Sequence, residues 1–194
     1  MTNRLLARPF GTAGLYEITR RTLSDDRGVF SRLWGAQDLD EQIWPWPVAQ
    51  VNHSYTSKGG TVRGIHFQTP PFGEAKLVSC LKGTLWDVAV DLRKDSETYL
   101  QYFALELSAT KSNALLIPPG FGHGFQTLTD DVELVYVHSQ PYRAQAESGV
   151  FPFDETIGIP WPRELEAISA RDHTLPRIDS GFEGLTMGAP DGLS

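Results

Sequence analysis

The chain has 194 residues and a formal net charge of −7, with 40% hydrophobic, 21% charged and 11% aromatic residues. This composition is typical of one globular domain and excludes disordered, collagen-like and coiled-coil classes. The negative net charge argues against a general nucleic-acid binder. No apolar run approaches the roughly 18 residues of a membrane helix, and the first ten residues lack the apolar stretch of a signal peptide. With Cys80 as the only cysteine, no intrachain disulfide can form, and we expect a cytoplasmic protein without a membrane partner.

Short strands are predicted between residues 48 and 137, where β-branched and aromatic residues concentrate between turn signals. The turn signals stand at residues 58–60, 70–73, 82–83, 94–96, 118–120 and 130–131. So many breaks leave no room for helices of ordinary length. The pattern therefore predicts an all-β double-sheet jelly roll or a related barrel. We expect a single domain over residues 1–194, with its core at about 12–176 and a loosely ordered tail at 177–194.

Helical patterns are confined to two short segments outside these strands. Residues 36–43 predict two turns of helix. Residues 163–170 predict another two turns, beginning just after Pro162. Both helices are expected at the periphery of the barrel.

Polar residues on barrel strands are the best indicators of a site, because an unpaired buried polar group is costly. In residues 62–68 the strand period of two puts His66 on one face and Arg63 on the other. The two side chains therefore face apart unless a β-bulge at Gly64 redirects one of them. A single buried histidine with its hydrogen bonds satisfied inside the core is the ordinary interpretation of His66.

Three further residues weaken that ordinary interpretation. His123 stands between glycines that allow a close approach of backbone or ligand. Lys76 opens a strand, and Tyr136 lies inside an apolar run. Each alone can be explained as a core or surface residue, but together with His66 they suggest a polar site in one small barrel.

Other chemistries find less support. The five histidines stand singly, at residues 53, 66, 123, 138 and 173, with no carboxylate at a matching spacing, so we expect no metal. Phosphate-binding glycine loops and the Gly-x-Ser-x-Gly elbow are absent from the sequence. Cys80 lies between apolar residues and is interpreted as a buried hydrophobic residue. Any anionic ligand would have to be held by arginine and lysine side chains.

The motifs taken together resemble the dTDP-4-dehydrorhamnose 3,5-epimerases, cupin-like jelly rolls that act on nucleotide-linked 4-keto-6-deoxy sugars. The matching segments occur in family order, over roughly residues 12–176: Asp-Arg-Gly-Val-Phe at 26–30, Gln-Val-Asn at 50–52, Val-Arg-Gly-Ile-His-Phe at 62–67, Ala-Lys at 75–76, Asp-Val-Ala-Val-Asp-Leu-Arg at 87–93, Ile-Pro-Pro-Gly-Phe-Gly-His-Gly-Phe at 117–125, Ile-Pro-Trp at 159–161 and Arg-Asp at 171–172. The resemblance implies a double-stranded β-helix and an epimerase of a nucleotide-linked 4-keto-6-deoxyhexose.

The resemblance also implies residue roles, in a proton-transfer site without metal or other cofactor. His66 matches the catalytic base, Asp172 the carboxylate that pairs with it, Tyr136 the acid on the opposite face of the sugar, and Lys76 the cation beside the 4-keto oxygen. The substrate- or nucleotide-contacting positions are matched by Arg27, Gln50, Asn52, Arg63, His123, Glu147 and Arg171. The family further implies a homodimer in which N-terminal strands reach the partner's nucleotide site.

The sequence departs from the family pattern at two places. Arg32 replaces a glutamate near the nucleotide-binding edge, so it offers only hydrogen-bond donors where the family has an acceptor. We place Arg32 among the candidate substrate contacts, with a solvent-facing side chain as the alternative. In the loop 140–144 Tyr142 is retained while its neighbours change, and this loop bears on which carbon is inverted.

Two other functions stay open on the sequence alone. One is a non-catalytic module that binds nucleotide sugars. The other is a metal-dependent cupin enzyme. Inversion at C3, at C5 or at both carbons also stays open, as do the nucleotide base and the sugar.

Overall fold

The computed structural model describes residues 4–12, 14–179 and 181–187. In these ranges the strands and a short helix follow in chain order: β1 (Leu5–Pro9), β2 (Tyr16–Arg20), β3 (Thr22–Asp25), β4 (Gly28–Ser31), β5 (Gln50–Thr56), β6 (Thr61–Gln68), β7 (Lys76–Lys82), β8 (Thr84–Asp91), β9 (Tyr102–Ser108), β10 (Asn113–Ile117), β11 (Phe121–Thr127), β12 (Val132–His138), β13 (Glu147–Gly149), β14 (Ala167–Ile168) and α1 (Ala170–His173). Strands thus dominate the described part of the chain.

Two antiparallel sheets form the body of the molecule. The first has the order β1-β2-β10-β7-β12-β5, and the second has the order β13-β6-β11-β8-β9, with β14 added parallel to β6. Consecutive strands β7 and β8 lie in different sheets, so the chain crosses between sheets at the Gly83 turn. This arrangement confirms the prediction of an all-β jelly roll.

The main core lies between the sheets. It joins Val78 and Leu134 of the first sheet to Leu85 and Phe125 of the second. Strand β8 shows the predicted alternation: Leu85 faces this core, while Val88 faces a second cluster on the outer side of its sheet. Both faces of β8 are therefore covered, and the buried carboxylate of Asp87 interrupts the apolar residues on the Leu85 face.

Cys80 belongs to this main core and is fully buried. Burial raises the pKa of its thiol to about 11. The sulfur donates weak hydrogen bonds to the carbonyls of Lys82 and Gly83. The residue is a structural hydrophobic residue, as its apolar neighbours in the sequence predict.

A small hairpin stands apart from both sheets. Within the described ranges, strands β3 and β4 pair only with each other. Nearly every residue of the hairpin is exposed, including Val29 at 70% and Phe30 at 61%. The hairpin therefore presents apolar side chains that nothing in the described chain covers.

Both predicted helices are wrong. Residues 36–43 form turns, because Asp38 is held by the backbone N–H of Arg4 and by Arg32 instead of by a helical register. In 163–170 the backbone pairs with the edge of β6 as β14. Helix α1 begins only afterwards, where the Ser169 hydroxyl accepts a hydrogen bond from the N–H of Asp172 and caps the helix.

Several residues of the tail contact the body of the molecule. Leu185 is buried and bridges to Arg93, and Phe182 and Met187 pack against the outer cluster of the second sheet. The single domain and its loosely ordered tail at 177–194 stay predictions. Residues 180 and 188–194 lie outside the described residues.

Candidate active site

A cavity of about 510 Å³ opens between the two sheets. Strands β5, β7 and β12 of the first sheet and β6 and β11 of the second supply its walls. The lining residues are Val51, Asn52, His53, Ser54, Arg63, His66, Lys76, His123, Gly124, Phe125, Tyr136 and His138. Six predicted site residues, taken from five different strands, thus meet in one space.

A β-bulge in β6 brings two of them to the same cavity. His66 pairs with His123 and Arg63 with Phe125, so three steps along β6 match two along β11. The bulge includes Gly64, whose φ of +115° suits glycine, and a Cβ at Gly64 would lie 2.5 Å from the Cα of Gly124. Arg63 and His66 therefore both face the cavity, the outcome that the sequence made conditional on a bulge.

His66 is fixed by a carboxylate behind it. Its Nε2 lies 2.7 Å from Oδ1 of Asp172, while Oδ2 of Asp172 accepts a hydrogen bond from the N–H of Gly64. Burial raises the pKa of Asp172, but the hydrogen bond and charge of His66 outweigh it, so the net shift is downward. An ionised carboxylate thus orients an imidazole that is one-third exposed to the cavity side.

Lys76 occupies the wall formed by the first sheet, and its side chain is 9% exposed. Its Nζ lies 3.1 Å from Oε1 of Glu74. The other oxygen of Glu74, Oε2, lies 3.0 Å from Nδ1 of His138. Burial raises the pKa of Glu74, but His138 and Lys76 together outweigh it and lower the pKa. We call Lys76, Glu74 and His138 the Glu74 cluster.

Tyr136 lies between two histidine rings. The ring centroids of His123 and His138 are each 5.9 Å from that of Tyr136, the first edge-on and the second stacked. Burial, aided by the negative charge of Asp87, raises the pKa of the Tyr136 hydroxyl. The hydroxyl is therefore protonated at neutral pH and able to donate a proton.

His123 has its own carboxylate partner. Its Nε2 lies 2.8 Å from Oδ1 of Asp87 in β8, and both side chains are buried. Burial raises the pKa of Asp87 and outweighs the opposing effect of His123. The pair fixes the orientation of the His123 ring against Tyr136.

Hydrogen bonds connect further predicted residues to the rim. Gln50 donates to Asn52 and accepts from the N–H of Tyr142. The Tyr142 hydroxyl donates to Glu147, which also pairs with Arg171 at 2.6 Å. Arg171 lines a second cavity, of about 360 Å³, together with Arg63, His66 and Asp172. The two cavities share Arg63 and His66.

Two predicted site residues lie elsewhere. Arg27, at the turn of the β3–β4 hairpin, pairs with Asp25 and is 90% exposed. Arg32 pairs with Asp38 at 2.8 Å, and this hydrogen bond lowers the pKa of Asp38. Neither arginine lines the cavity that holds His66, and a substrate contact by either stays a prediction.

Sequence reasoning missed three carboxylate or imidazole groups of the site: Glu74, Asp87 and His138. Asp87 had a signal, because strand alternation put it on the same face as Leu85, where an acidic residue needs a partner. Glu74 and His138 had no such signal, since Glu74 precedes β7 and meets His138 only through the pairing of β7 with β12.

In the described ranges no three His, Cys, Asp or Glu side chains converge as metal ligands. Within the same ranges, no helix is long and apolar enough to cross a membrane.

The arrangement defines a class of protein: a jelly-roll barrel with an acid–base site. An imidazole backed by a carboxylate lies on one sheet, and a protonated phenol and an ammonium group lie on the other. Such groups can remove a proton from a carbon beside a carbonyl, stabilise the resulting enolate and return a proton.

Comparison with known proteins identifies the family. Residues 10–180 match the model of the dTDP-4-dehydrorhamnose 3,5-epimerase family. The chain is 41% identical to a dTDP-4-dehydrorhamnose 3,5-epimerase of Streptomyces griseus, over 88% of this chain and 86% of the relative. It is 39% identical to a dTDP-4-dehydrorhamnose 3-epimerase of Streptomyces niveus, over 85% and 80%.

A solved structure agrees. The dTDP-6-deoxy-D-glucose-3,5-epimerase of Legionella pneumophila Philadelphia 1, in complex with dTDP-4-keto-L-rhamnose, matches with a TM-score of 0.87 and 29% identity, over 95% of this chain and 99% of that one. The chain therefore belongs to the dTDP-4-dehydrorhamnose 3,5-epimerase family, and it is a carbohydrate epimerase of cupin-like fold.

Proposed function

We propose that the protein inverts C3, C5 or both in a dTDP-linked 4-keto-6-deoxyhexose. The observation that carries the proposal is the single cavity in which the His66–Asp172 pair faces Tyr136 and Lys76. The ligand of the Legionella relative, dTDP-4-keto-L-rhamnose, is of this substrate class.

In the proposed reaction His66 removes the proton from a carbon next to the C4 ketone. The electron pair of that C–H bond moves into the enolate, whose oxygen accepts a hydrogen bond from the ammonium group of Lys76. Tyr136 then delivers its hydroxyl proton to the opposite face, which inverts the carbon. The proton on His66 and the charge on Tyr136 are reset by exchange with solvent. The substrate returns to a ketone, so the reaction is redox-neutral.

The diphosphate of the substrate is proposed to bind beside His66. Arg63 and Arg171 both line the second cavity, which adjoins the first at Arg63 and His66. The planar guanidinium group of arginine makes bidentate contacts to phosphate oxygens. Gln50, Asn52, His123, Tyr142 and Glu147 are the further substrate contacts we propose.

The number of carbons inverted is tested by solvent exchange. Relatives described as 3,5- and as 3-epimerases are about equally similar to this chain. Sequence identity therefore does not decide which carbons are inverted. In D₂O, proton NMR of dTDP-4-keto-6-deoxyglucose should show deuterium at C3, at C5 or at both. Exchange at neither carbon, for dTDP-, UDP-, CDP- and GDP-linked keto sugars, would overturn the proposal. Binding without any exchange would instead favour a nucleotide-sugar-binding module.

We also propose that the protein acts as a homodimer in which the β3–β4 hairpin of one chain completes the site of the other. Two features support this: the exposed apolar side chains of the hairpin and the position of Arg27 outside its own chain's cavity. A cytoplasmic location and the lack of nucleic-acid and membrane partners stay predictions.

A further inference from the structure

The ammonium group of Lys76 has three hydrogens and two acceptors among the described residues. One acceptor is Oε1 of Glu74 at 3.1 Å, and the other is the carbonyl of His66 at 3.4 Å. Because Lys76 also lines the cavity, its third N–H is available to a ligand oxygen there. The ion pair with Glu74 and the hydrogen bond to the His66 carbonyl together restrain the ammonium group at the cavity wall.

The carboxylate of Glu74 is itself restrained by contacts to both of its oxygens. Its side chain is 11% exposed, and each carboxylate oxygen has its own partner, Lys76 for Oε1 and His138 for Oε2. The side-chain amide of Gln68 lies 3.4 Å from Oε2 as well. A carboxylate bonded at both oxygens cannot rotate toward Lys76 without losing a hydrogen bond in a nearly dry site.

A chain of hydrogen bonds assigns the protons of His138. Gln50 donates its amide N–H to Oδ1 of Asn52, so the amide nitrogen of Asn52 is the group turned toward Nε2 of His138, at 3.4 Å. In the neutral imidazole, this leaves Nε2 as the acceptor and Nδ1 as the donor to Glu74. Stacking against Tyr136 at 5.9 Å restrains the same ring.

We infer that Glu74 and His138 are positioning residues of the active site: they aim the ammonium group of Lys76 at the enolate oxygen. The inference rests on the proposed function for its chemical meaning. Neither residue needs to contact the reacting atoms. His138 bonds Oε2 of Glu74, which restrains the carboxylate from rotating so that both of its oxygens contact Lys76.

The inference is tested first by kinetics of solvent exchange in Glu74→Gln, His138→Ala and His138→Gln. Glu74→Gln and His138→Ala should lower kcat about 10- to 100-fold, the size expected for a misplaced catalytic group. KM and the Kd for dTDP should stay within about twofold of the parent. His138→Gln should recover most of the loss of His138→Ala, because its amide can donate to Glu74. The double variant Glu74→Gln/His138→Ala should lose no more than the worse single variant.

A matched control separates positioning from the general loss of an ion pair. Glu106 pairs with Lys111 at 2.8 Å on the surface, and Glu106→Gln should leave kcat unchanged. Thermal melting of each variant establishes that it is folded. Unchanged kcat in Glu74→Gln, equal losses in His138→Ala and His138→Gln, or a change in dTDP affinity as large as the change in kcat would each overturn the inference.

A second readout does not depend on activity. In ¹⁵N-labelled protein the held ammonium of Lys76 should give a slowly exchanging NH₃⁺ signal, assigned by its loss in Lys76→Arg. The signal should vanish in Glu74→Gln and persist in Glu106→Gln, and its persistence in Glu74→Gln would overturn the inference. A parent chain without solvent exchange would overturn the proposed function, while this signal still decides whether Glu74 holds Lys76.

Discussion

The cavity and the β3–β4 hairpin each carry predicted site residues, and they differ in how the chain supports those residues. In the cavity, His66, His123 and His138 each pair with a carboxylate that lies at least 36 positions away in the sequence. In the hairpin, the partner of Arg27 among the described residues is Asp25, two positions away, and the Arg27 side chain is almost fully exposed.

This difference suggests separate functions for the cavity and the hairpin. Proton transfer needs groups fixed within a fraction of an ångström, and the barrel fixes them by itself. Arg27, by contrast, is 90% exposed and has no rigid frame in its own chain. We therefore expect substitutions in the cavity to act on kcat and substitutions in the hairpin to act on KM and on assembly.

The largest effect is expected for the base. His66→Asn should lower the rate of solvent exchange by about 10²–10⁴-fold while the Tm stays near that of the parent, because the change removes the base without opening a large void. Proton NMR in D₂O and thermal melting measure the two quantities. A rate within a few-fold of the parent would mean that His66 has a structural role only.

Tyr136→Phe should separate the two halves of the reaction. Removal of the proton by His66 can continue, so deuterium still enters the substrate, whereas inversion should slow by about 10²–10⁴-fold. Parallel measurement of label and of the product epimer distinguishes the halves. Equal slowing of both would contradict the assignment of Tyr136 as the acid.

The sequence predicted the cavity better than it predicted the chain's periphery. Strand alternation and turn residues define the barrel locally, so the jelly roll and the strand positions of His66, Lys76, His123 and Tyr136 could be derived. The helix predicted at 163–170 does not form, because pairing with the edge of β6 outcompetes the local preference for helix. That competition depends on a strand a hundred residues earlier, which no local pattern contains.

The same limit applies to the Glu74 cluster. The meeting of Glu74 with His138 follows from the register of β7 against β12. Register is set by the packing of whole sheets and the turns between them. The roles of His66 and Asp172 came from family resemblance, because nothing local connects two residues more than a hundred positions apart.

For the hairpin, Phe30→Asp should shift the protein toward monomers and raise KM about tenfold or more, with a smaller change in kcat. A charge on the 61%-exposed Phe30 opposes burial against a partner chain. Light scattering at micromolar concentration and steady-state kinetics test this. Leu165→Asp, at another exposed position, serves as the control. A fully active monomer would contradict the dimer.

A smaller effect is expected at Arg32. Arg32→Gln removes the pair with Asp38, in which the arginine is 44% exposed, so the loss of stability should be about 1 kcal/mol or less. If Arg32 also contacts the nucleotide, the ratio of kcat/KM values for dTDP- and UDP-linked substrates should change. An unchanged ratio would leave Arg32 with its Asp38 contact alone. Gln is preferable to Glu here, because Glu would place a second carboxylate beside Asp38.

The smallest effect concerns alkaline stability. Burial raises the pKa of Tyr136 in the folded protein, whereas in the unfolded chain it stays near 10. Below pH 10 both states keep the proton, and above it the unfolded state ionises first, so stability falls as pH rises. Between pH 9 and 11, the Tm of Tyr136→Phe should therefore fall by less than the Tm of the parent. An equal fall in Tm for both proteins would contradict this.

The burial of Cys80 has a consequence for labelling. With a thiol pKa of about 11 and no exposed surface, only about one Cys80 in a thousand is a thiolate at pH 8, and maleimides react with the thiolate. A cysteine introduced at Val29, at the exposed tip of the hairpin, can thus be spin-labelled selectively in the otherwise unaltered chain. Distances between two such labels would then report directly on where each hairpin lies in an assembled pair.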